Sequence, residues 1–169
     1  MSQESAVQLR NSNFEDSSIK PWEVIGNGAV LAKSNAHSGN QALELSSGTI
    51  VQANVKLKPS SSYKLTGWLK TESGSDEVRF RVNGLGEHNT ETASALANWK
   101  KVELKFATGT EQPTAIIEIQ NQENTAKNRA WADDLSIEYL GKYTPAKNAG
   151  IKQFAPRITK TDLGISQQP

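Results

Sequence analysis

The sequence predicts an all-β fold, a β-sandwich or jelly roll with about nine antiparallel strands. Three observations lead to this prediction. Apolar residues alternate with polar ones over most of residues 1–140, turn-forming residues interrupt the alternation at fairly regular intervals, and no stretch has the apolar period of a convincing helix. The chain of 169 residues is long enough for one domain with its own core.

Four segments show the alternation most clearly. In each segment one set of side chains is apolar and the set between them is polar or charged, as expected for strands with one buried and one solvated face. The segments are residues 50–57 (IVQANVKL), 63–70 (YKLTGWLK), 78–83 (VRFRVN) and 101–106 (KVELKF). Turns rich in Gly, Ser, Asn and Pro separate them, including HSGN at 37–40, KPSSS at 58–62 and ESGSD at 72–76.

The alternation stops after Tyr139. Residues 141–169 contain two internal prolines, five basic residues and one acidic residue. We therefore predict a sandwich module over residues 1–140 and a basic, proline-containing tail over residues 141–169, which serves either as a linker or as a docking segment.

Composition excludes several classes of function. The chain has no cysteine, which excludes disulfides, thiolate metal sites and cysteine nucleophiles. Its 19 basic and 18 acidic residues nearly balance, which argues against nucleic acid as a partner. No apolar run approaches the ~20 residues of a membrane-spanning helix, so we expect no membrane partner.

The sequence offers little for catalysis, and we predict that the protein is not an enzyme. His37 and His88 lie in turn-rich segments, and Ser38 directly follows His37, so their side chains would point to opposite faces of a strand. Asp133 and Asp134 are adjacent and form a poor acid–base pair for the same reason.

Asp133 is a candidate metal ligand. By strand alternation it shares a face with Leu135 and Ile137, so we predict that it is buried. A buried charge needs a partner. One alternative is a hard cation with oxygen ligands, most naturally calcium with Glu15 as a second ligand. The other alternative is a set of backbone N–H donors, and the sequence leaves both open.

Three of the four tryptophans are candidates for ligand binding. Trp22 lies in a loop-like segment, Trp68 falls on the polar side of its strand, and Trp131 follows a long polar loop. An exposed indole is a flat apolar surface that suits the C–H face of a sugar ring. We predict ligand contact for Trp22 and Trp131, against the alternative that they cover the edge of the core.

A polar row on one strand completes the candidate ligand site. Arg79, Arg81 and Asn83 share the solvated face of the 78–83 strand. Such a row is often only a solvated face. It can also form hydrogen bonds with sugar hydroxyls, or bind uronate carboxylates through the two guanidinium groups.

Five sequence motifs, taken together, resemble a known family. They are NSNFED with PWEVIGNGAV, AHSGNQALEL, VKLKPSSSYKLTGWLKT, NWKKVELKF and RAWADDLSIEY. In this order and spacing they resemble the carbohydrate-binding modules of the family 4/9/16/22 group, and most closely family 16. The resemblance covers about residues 7–140.

The resemblance implies a non-catalytic jelly-roll module attached to a secreted polysaccharide-degrading enzyme, either a glycoside hydrolase or a polysaccharide lyase. It implies a structural calcium bound by the Asn13 carbonyl, Glu15, the Ser38 carbonyl and Asp133. It also places the sugar-stacking aromatics at Trp22 and Trp131.

This sequence departs from the family pattern at Arg79 and Arg81, where relatives place neutral amides. We therefore expect an acidic polysaccharide such as alginate or pectate. The resulting prediction is an extracellular module that brings a catalytic domain on the same parent chain to its polysaccharide. The alternative is a structural or adhesive β-sandwich that mediates protein contacts without binding sugar.

Overall fold

The computed structural model describes residues 7–111 and 113–144, and it confirms the all-β prediction. Ten strands form two five-stranded antiparallel sheets. The strands are β1 (Glu23–Gly26), β2 (Ala29–Ala32), β3 (Ala42–Leu45), β4 (Thr49–Lys56), β5 (Ser61–Thr71), β6 (Val78–Asn83), β7 (Thr90–Ser94), β8 (Lys100–Ala107), β9 (Thr114–Asn121) and β10 (Ala130–Lys142). A short 3-10 turn at Gly86–His88 lies between β6 and β7.

The first sheet has the strand order β1-β4-β9-β6-β7, and the second has the order β2-β3-β10-β5-β8. The four segments with clear alternation correspond to β4, β5, β6 and β8. Their apolar sets pack between the sheets and form much of the core. The larger fully buried side chains of the core include Trp22, Phe14, Leu43, Leu45, Val51, Tyr63, Leu65, Leu69, Val78, Phe80, Ile117 and Ile119. The outer face of each sheet, away from this core, carries the polar sets.

Strand β10 contains a bulge that changes which side chains face the core. The register with β5 shifts between Asp133, opposite Trp68, and Ser136, opposite Thr66. Asp134 within the shift has φ 52°, and the extra residue reverses the alternation. Asp133 therefore lies on the outer face of the second sheet, and the prediction that it shares a face with Leu135 is wrong. Its predicted burial is confirmed, with 0% of the residue exposed.

The C-terminal boundary of the sandwich differs slightly from the predicted one. The last strand continues to Lys142, which is within the segment predicted as a tail. The remainder of that tail, residues 145–169, lies outside the described residues. In the described ranges, no helix has the length and apolar character needed to cross a membrane.

Candidate functional site

The sandwich distributes the predicted ligand residues over three different places. Arg79, Arg81 and Asn83 lie on the outer face of the first sheet, on β6. Trp68 and Trp131 lie on the outer face of the second sheet, on β5 and β10. Trp22 belongs to the core. The six residues therefore do not form one site.

The outer face of the first sheet carries a row of hydrogen-bonding side chains across its strands. In the strand register, Gln52 on β4 lies opposite Glu118 on β9, and Glu118 lies opposite Arg81 on β6. In the next row Gln120 on β9 lies opposite Arg79 on β6. We call these five residues the polar face. Because strands hold all of them, their positions are fixed by the sheet itself.

Ion pairs hold both arginines of the polar face. Arg79 Nη1 lies 3.0 Å from Glu91 Oε2, and Arg79 Nη2 lies 2.7 Å from Glu77 Oε1. Arg81 Nε lies 3.1 Å from Glu91 Oε1, and Arg81 Nη1 lies 3.5 Å from Glu118 Oε1. The guanidinium groups are therefore partly neutralised by carboxylates of the protein.

A pocket lies at one end of the polar face. It is lined by Thr49, Ile50, Gln120, Gln122 and Glu123, together with Gly48 and Asn121. The Asn121 side chain is buried and donates to the carbonyls of Leu45 and Asn128, both at 3.0 Å, which fixes the start of the loop after β9.

Sequence reasoning missed the β9 contribution to this face. The doublet of Ile116 and Ile117 interrupts the alternation in β9 and hides it. The polar residues Glu118 and Gln120, which alternate with the buried residues Ile117, Ile119 and Asn121, are the signal that could have identified it.

The outer face of the second sheet holds Trp131 under a cover of charged side chains. Only 3% of the residue is exposed. Its Nε1 donates to Glu44 Oε2 at 3.0 Å, and Lys70 Nζ and Arg129 Cζ each lie 5.4 Å from the ring centroid. The ring thus makes cation–π contacts within the protein, which differs from the expected free stacking surface.

Trp68 lies on the same outer face and is half-buried. The His37 ring stacks on it with a centroid distance of 3.9 Å and an interplanar angle of 18°. Trp99 forms a T-shaped pair with the same imidazole, with a centroid distance of 5.7 Å and an interplanar angle of 67°. One face of the Trp68 ring is therefore occupied by the turn that contains His37.

Trp22 differs most from its expected position, since only 2% of it is exposed. Its Nε1 donates to the carbonyls of Arg10 at 3.1 Å and Asn11 at 3.2 Å, and its ring lies 5.4 Å from that of Phe14. The expectation of an exposed ring is wrong here because the segment before Pro21 packs over the indole.

The Asp133 carboxylate lies under the turn of residues 37–41. Its Oδ2 accepts from the backbone N–H of His37 at 2.9 Å and of Ser38 at 3.3 Å, and its Oδ1 accepts from Asp134 N–H at 2.9 Å. Burial raises the pKa of Asp133 to about 6, opposed by the Ser38 N–H and reinforced by the Asp134 carboxylate.

Glu15 binds the other end of the same turn. Its carboxylate accepts from Asn40 N–H at 2.9 and 3.0 Å and from Gln41 N–H at 3.1 Å. Gly39 leaves room for it, because a Cβ at Gly39 would lie 2.5 Å from Glu15 Oε1.

The predicted metal ligands therefore gather around one turn. Asp133 and Glu15 both contact residues 37–41, and Ser38 belongs to that turn. The Asn13 side-chain oxygen accepts from Glu15 N–H at 3.3 Å. The two carboxylates fit the oxygen preference of calcium. The described residues contain no group of three or more His, Cys, Asp and Glu suited to a metal, so the carbonyls would be required.

Comparison with known proteins identifies the family. The carbohydrate binding domain model CBM_4_9 matches residues 6–128. The chain belongs to this family. Among solved structures, the module is similar to TmCBM61 in complex with β-1,4-galactotriose, with a TM-score of 0.62 and 20% identity over 79% of this chain and 98% of that one. It is also similar to a family 16 carbohydrate-binding module, with a TM-score of 0.58 and 19% identity over 75% and 96% of the two chains.

A curated relative is much longer than this chain. The tRNA nuclease WapA of Bacillus subtilis is 28% identical over 146 residues. The match covers 72% of this chain but only 6% of WapA. The module therefore spans a small part of the curated relatives it matches.

Proposed function

We propose that this carbohydrate-binding module is non-catalytic and holds a polysaccharide on its polar face. The supporting observation is the row of Gln52, Glu118 and Arg81, with Gln120 and Arg79 beside it, fixed on three adjacent strands and next to a pocket. Amides, guanidinium groups and a carboxylate supply both donors and acceptors, which the hydroxyls of a sugar chain require. Asn83 extends the same face on β6.

The charge on this face bears on the type of polysaccharide. The expectation of an acidic polymer such as alginate or pectate rests on Arg79 and Arg81. Because both guanidinium groups already pair with glutamates, a uronate would have to compete with carboxylates of the protein. We therefore propose a neutral polysaccharide as the first candidate and test the acidic one beside it.

Aromatic stacking on sugar is kept as a separate proposal, because its candidate residue lies on the outer face of the second sheet and not on the polar face. Trp68 is half-buried and is the best placed of the three predicted tryptophans. Trp131 would first need Lys70 and Arg129 to move from its ring, and Trp22 would need the N-terminal segment to open.

We also propose a structural calcium at the 37–41 turn. Glu15 and Asp133, with the carbonyls of Asn13 and Ser38, would hold it there, and the ion would neutralise the buried Asp133 carboxylate. The alternative, backbone N–H donors alone, has support in the three hydrogen bonds that Asp133 accepts.

The proposed biological role is targeting. A module that holds a polysaccharide raises the effective concentration of substrate around a catalytic domain on the same parent chain. The small share of WapA that the chain matches supports a role as one module of a longer protein. For such a role we propose an extracellular location.

Affinity gel electrophoresis tests the proposed function. The parent protein and the double variant Gln52→Ala/Gln120→Ala are run in gels containing β-1,4-galactan, xylan, alginate or polygalacturonate. We expect at least one polymer to retard the parent and the double variant to lose that retardation. The control is Glu103→Ala/Glu138→Ala, which changes exposed residues on the second sheet. If no polymer retards the parent, the proposal fails and a role in protein contacts becomes the better explanation.

A further inference from the structure

Glu118 is an unusual residue on the polar face. It lies on β9, the central strand of the first sheet, and only 9% of it is exposed. Its neighbours in register are Gln52 on β4 and Arg81 on β6. Its Oε1 is buried and accepts no hydrogen bond from the described residues.

A buried carboxylate oxygen without a donor is costly, because it has lost water and gained little in exchange. The nearest cation is Arg81, whose Nη1 lies 3.5 Å from Oε1. That guanidinium is shared, since it also contacts Glu91 at 3.1 Å and Gln120 Oε1 at 3.4 Å. Arg81 therefore lies near the carboxylate but donates no hydrogen bond to its Oε1.

The surrounding charges determine which ligands can approach this oxygen. Arg79 and Arg81 face the three carboxylates of Glu77, Glu91 and Glu118, so the network carries more negative than positive charge. A ligand with hydroxyl donors can fill the vacant acceptor position. A ligand that carries carboxylates meets like charge in a partly desolvated site.

We propose that Glu118 determines ligand specificity, because its Oε1 accepts a hydrogen bond from a hydroxyl of a neutral sugar chain and its charge excludes uronates. The inference rests on the proposed function of the polar face and assigns the selecting residue within it. The side-chain amides of Gln52, opposite Glu118 on β4, and of Gln120, two residues along β9, bind the neighbouring hydroxyls.

The test compares the parent protein with Glu118→Gln, which keeps the shape of the side chain and removes its charge. The probes are β-1,4-galactan and xylan as neutral polymers and polygalacturonate as the acidic one. For the neutral polymer that binds the parent, we expect Glu118→Gln to weaken binding about threefold to tenfold, because an amide oxygen accepts a weaker hydrogen bond than a carboxylate oxygen. We also expect its relative affinity for polygalacturonate to rise. The matched control, Glu103→Gln on β8, should change neither the affinity for the neutral polymer nor the relative affinity for polygalacturonate.

A second measurement avoids any effect of the substitution on folding. In the parent protein, titration with the same neutral polymer should shift the side-chain amide NMR signals of Gln52 and Gln120. If the parent binds a neutral polymer while these signals stay in place, or while Glu118→Gln binds equally well, the inference is overturned and the proposed function survives. If the parent prefers polygalacturonate, the assigned selectivity is wrong. If the parent binds none of the polymers, the proposed function itself fails.

Discussion

Gly39 allows the 37–41 turn to approach Glu15 closely. Its φ is 67°, and a Cβ would lie 2.5 Å from Glu15 Oε1. We predict that Gly39→Ala lowers the free energy of unfolding, because it strains the backbone and pushes the carboxylate away from the N–H groups of Asn40 and Gln41. Gly86 isolates the first effect, the backbone strain, since its φ is 61° and nothing lies within 4 Å of its Cβ position.

Urea unfolding of the two variants measures the difference. Gly86→Ala reports backbone strain alone, and Gly39→Ala should lose about 1–2 kcal/mol more, the cost of disrupting two hydrogen bonds to a charged group. Equal losses in the two variants would show that Glu15 adjusts freely and does not hold the turn.

Trp22 provides a separate test at the residue scale. Trp22→Phe keeps most of the buried apolar surface but removes the donor to the carbonyls of Arg10 and Asn11. We predict a loss of about 1–3 kcal/mol in the free energy of unfolding, because those carbonyls lose a partner in a part-buried position. Polysaccharide binding should not change.

Trp68→Phe is the matched control for Trp22→Phe, since Trp68 is half-buried on an outer face. Its unfolding free energy should change less. Chemical unfolding measures the stability of both variants, and affinity gels measure their polysaccharide binding. Weaker binding by Trp22→Phe with normal stability would restore the stacking role expected from the sequence.

At the scale of elements, strands with regular alternation could be predicted and irregular ones could not. The clean alternation in β4, β5, β6 and β8 gave both the strand and its buried face. In β10 the bulge at Asp134 reverses the alternation, and a bulge depends on pairing with β5 that sequence spacing does not reveal. Asp133 was therefore predicted to be buried for the wrong reason.

The candidate site was predictable to the same extent. Alternation in β6 correctly placed Arg79 and Arg81 on an outer face. Their pairing with Glu91 depends on the β6–β7 register, and the proximity of Arg81 to Glu118 depends on the β6–β9 register. Such cross-strand neighbours are set by topology, which one sequence does not specify.

Glu72 and Arg129 connect the end of β5 to the start of β10. Arg129 Nη2 lies 3.1 Å from Glu72 Oε2, and Arg129 N–H donates to Glu72 Oε1 at 2.8 Å. The side-chain hydrogen bond from Arg129, followed by its backbone hydrogen bond, lowers the pKa of Glu72. The stabilisation is therefore present above the ordinary carboxyl pKa and is lost as the pH falls through the lowered value.

We predict that Glu72→Gln lowers the free energy of unfolding by about 0.5–1 kcal/mol at pH 7, a small value because the pair is partly exposed to solvent. The difference from the parent should shrink as the pH falls below 4.5, where the carboxyl of the unfolded chain becomes neutral, and disappear below the lowered pKa of the folded state. Unfolding curves between pH 7 and pH 3 test this, with Glu111→Gln as an exposed control. A difference that is independent of pH would mean that shape, not charge, matters at this position.

For the whole molecule, the sandwich separates the proposed ligand surface from the proposed metal turn. The polar face belongs to the first sheet, whereas Asp133 lies on the outer face of the second sheet. The core lies between them. Loss of the metal should therefore act on stability and reach the polar face only indirectly.

We predict that calcium raises the melting temperature of the parent protein. An ion that binds only the folded state stabilises it by about 2.7 kcal/mol at a concentration one hundred times its dissociation constant, which corresponds to roughly 5–10 °C for a domain of this size. Thermal unfolding in calcium and in excess chelator measures the shift. Glu15→Gln should reduce it, because one of the two carboxylates is lost.

Magnesium and a variant far from the turn serve as controls for the calcium experiment. Magnesium at equal concentration should give a smaller shift, because it demands a stricter octahedral geometry than a turn flanked by two carboxylates and carbonyls provides. Glu103→Gln, on the outer face of β8, should keep the full calcium shift. An identical melting temperature in calcium and in chelator would contradict the proposed calcium site. The N–H groups of His37, Ser38 and Asp134 would then be the partners that make burial of the Asp133 carboxylate tolerable.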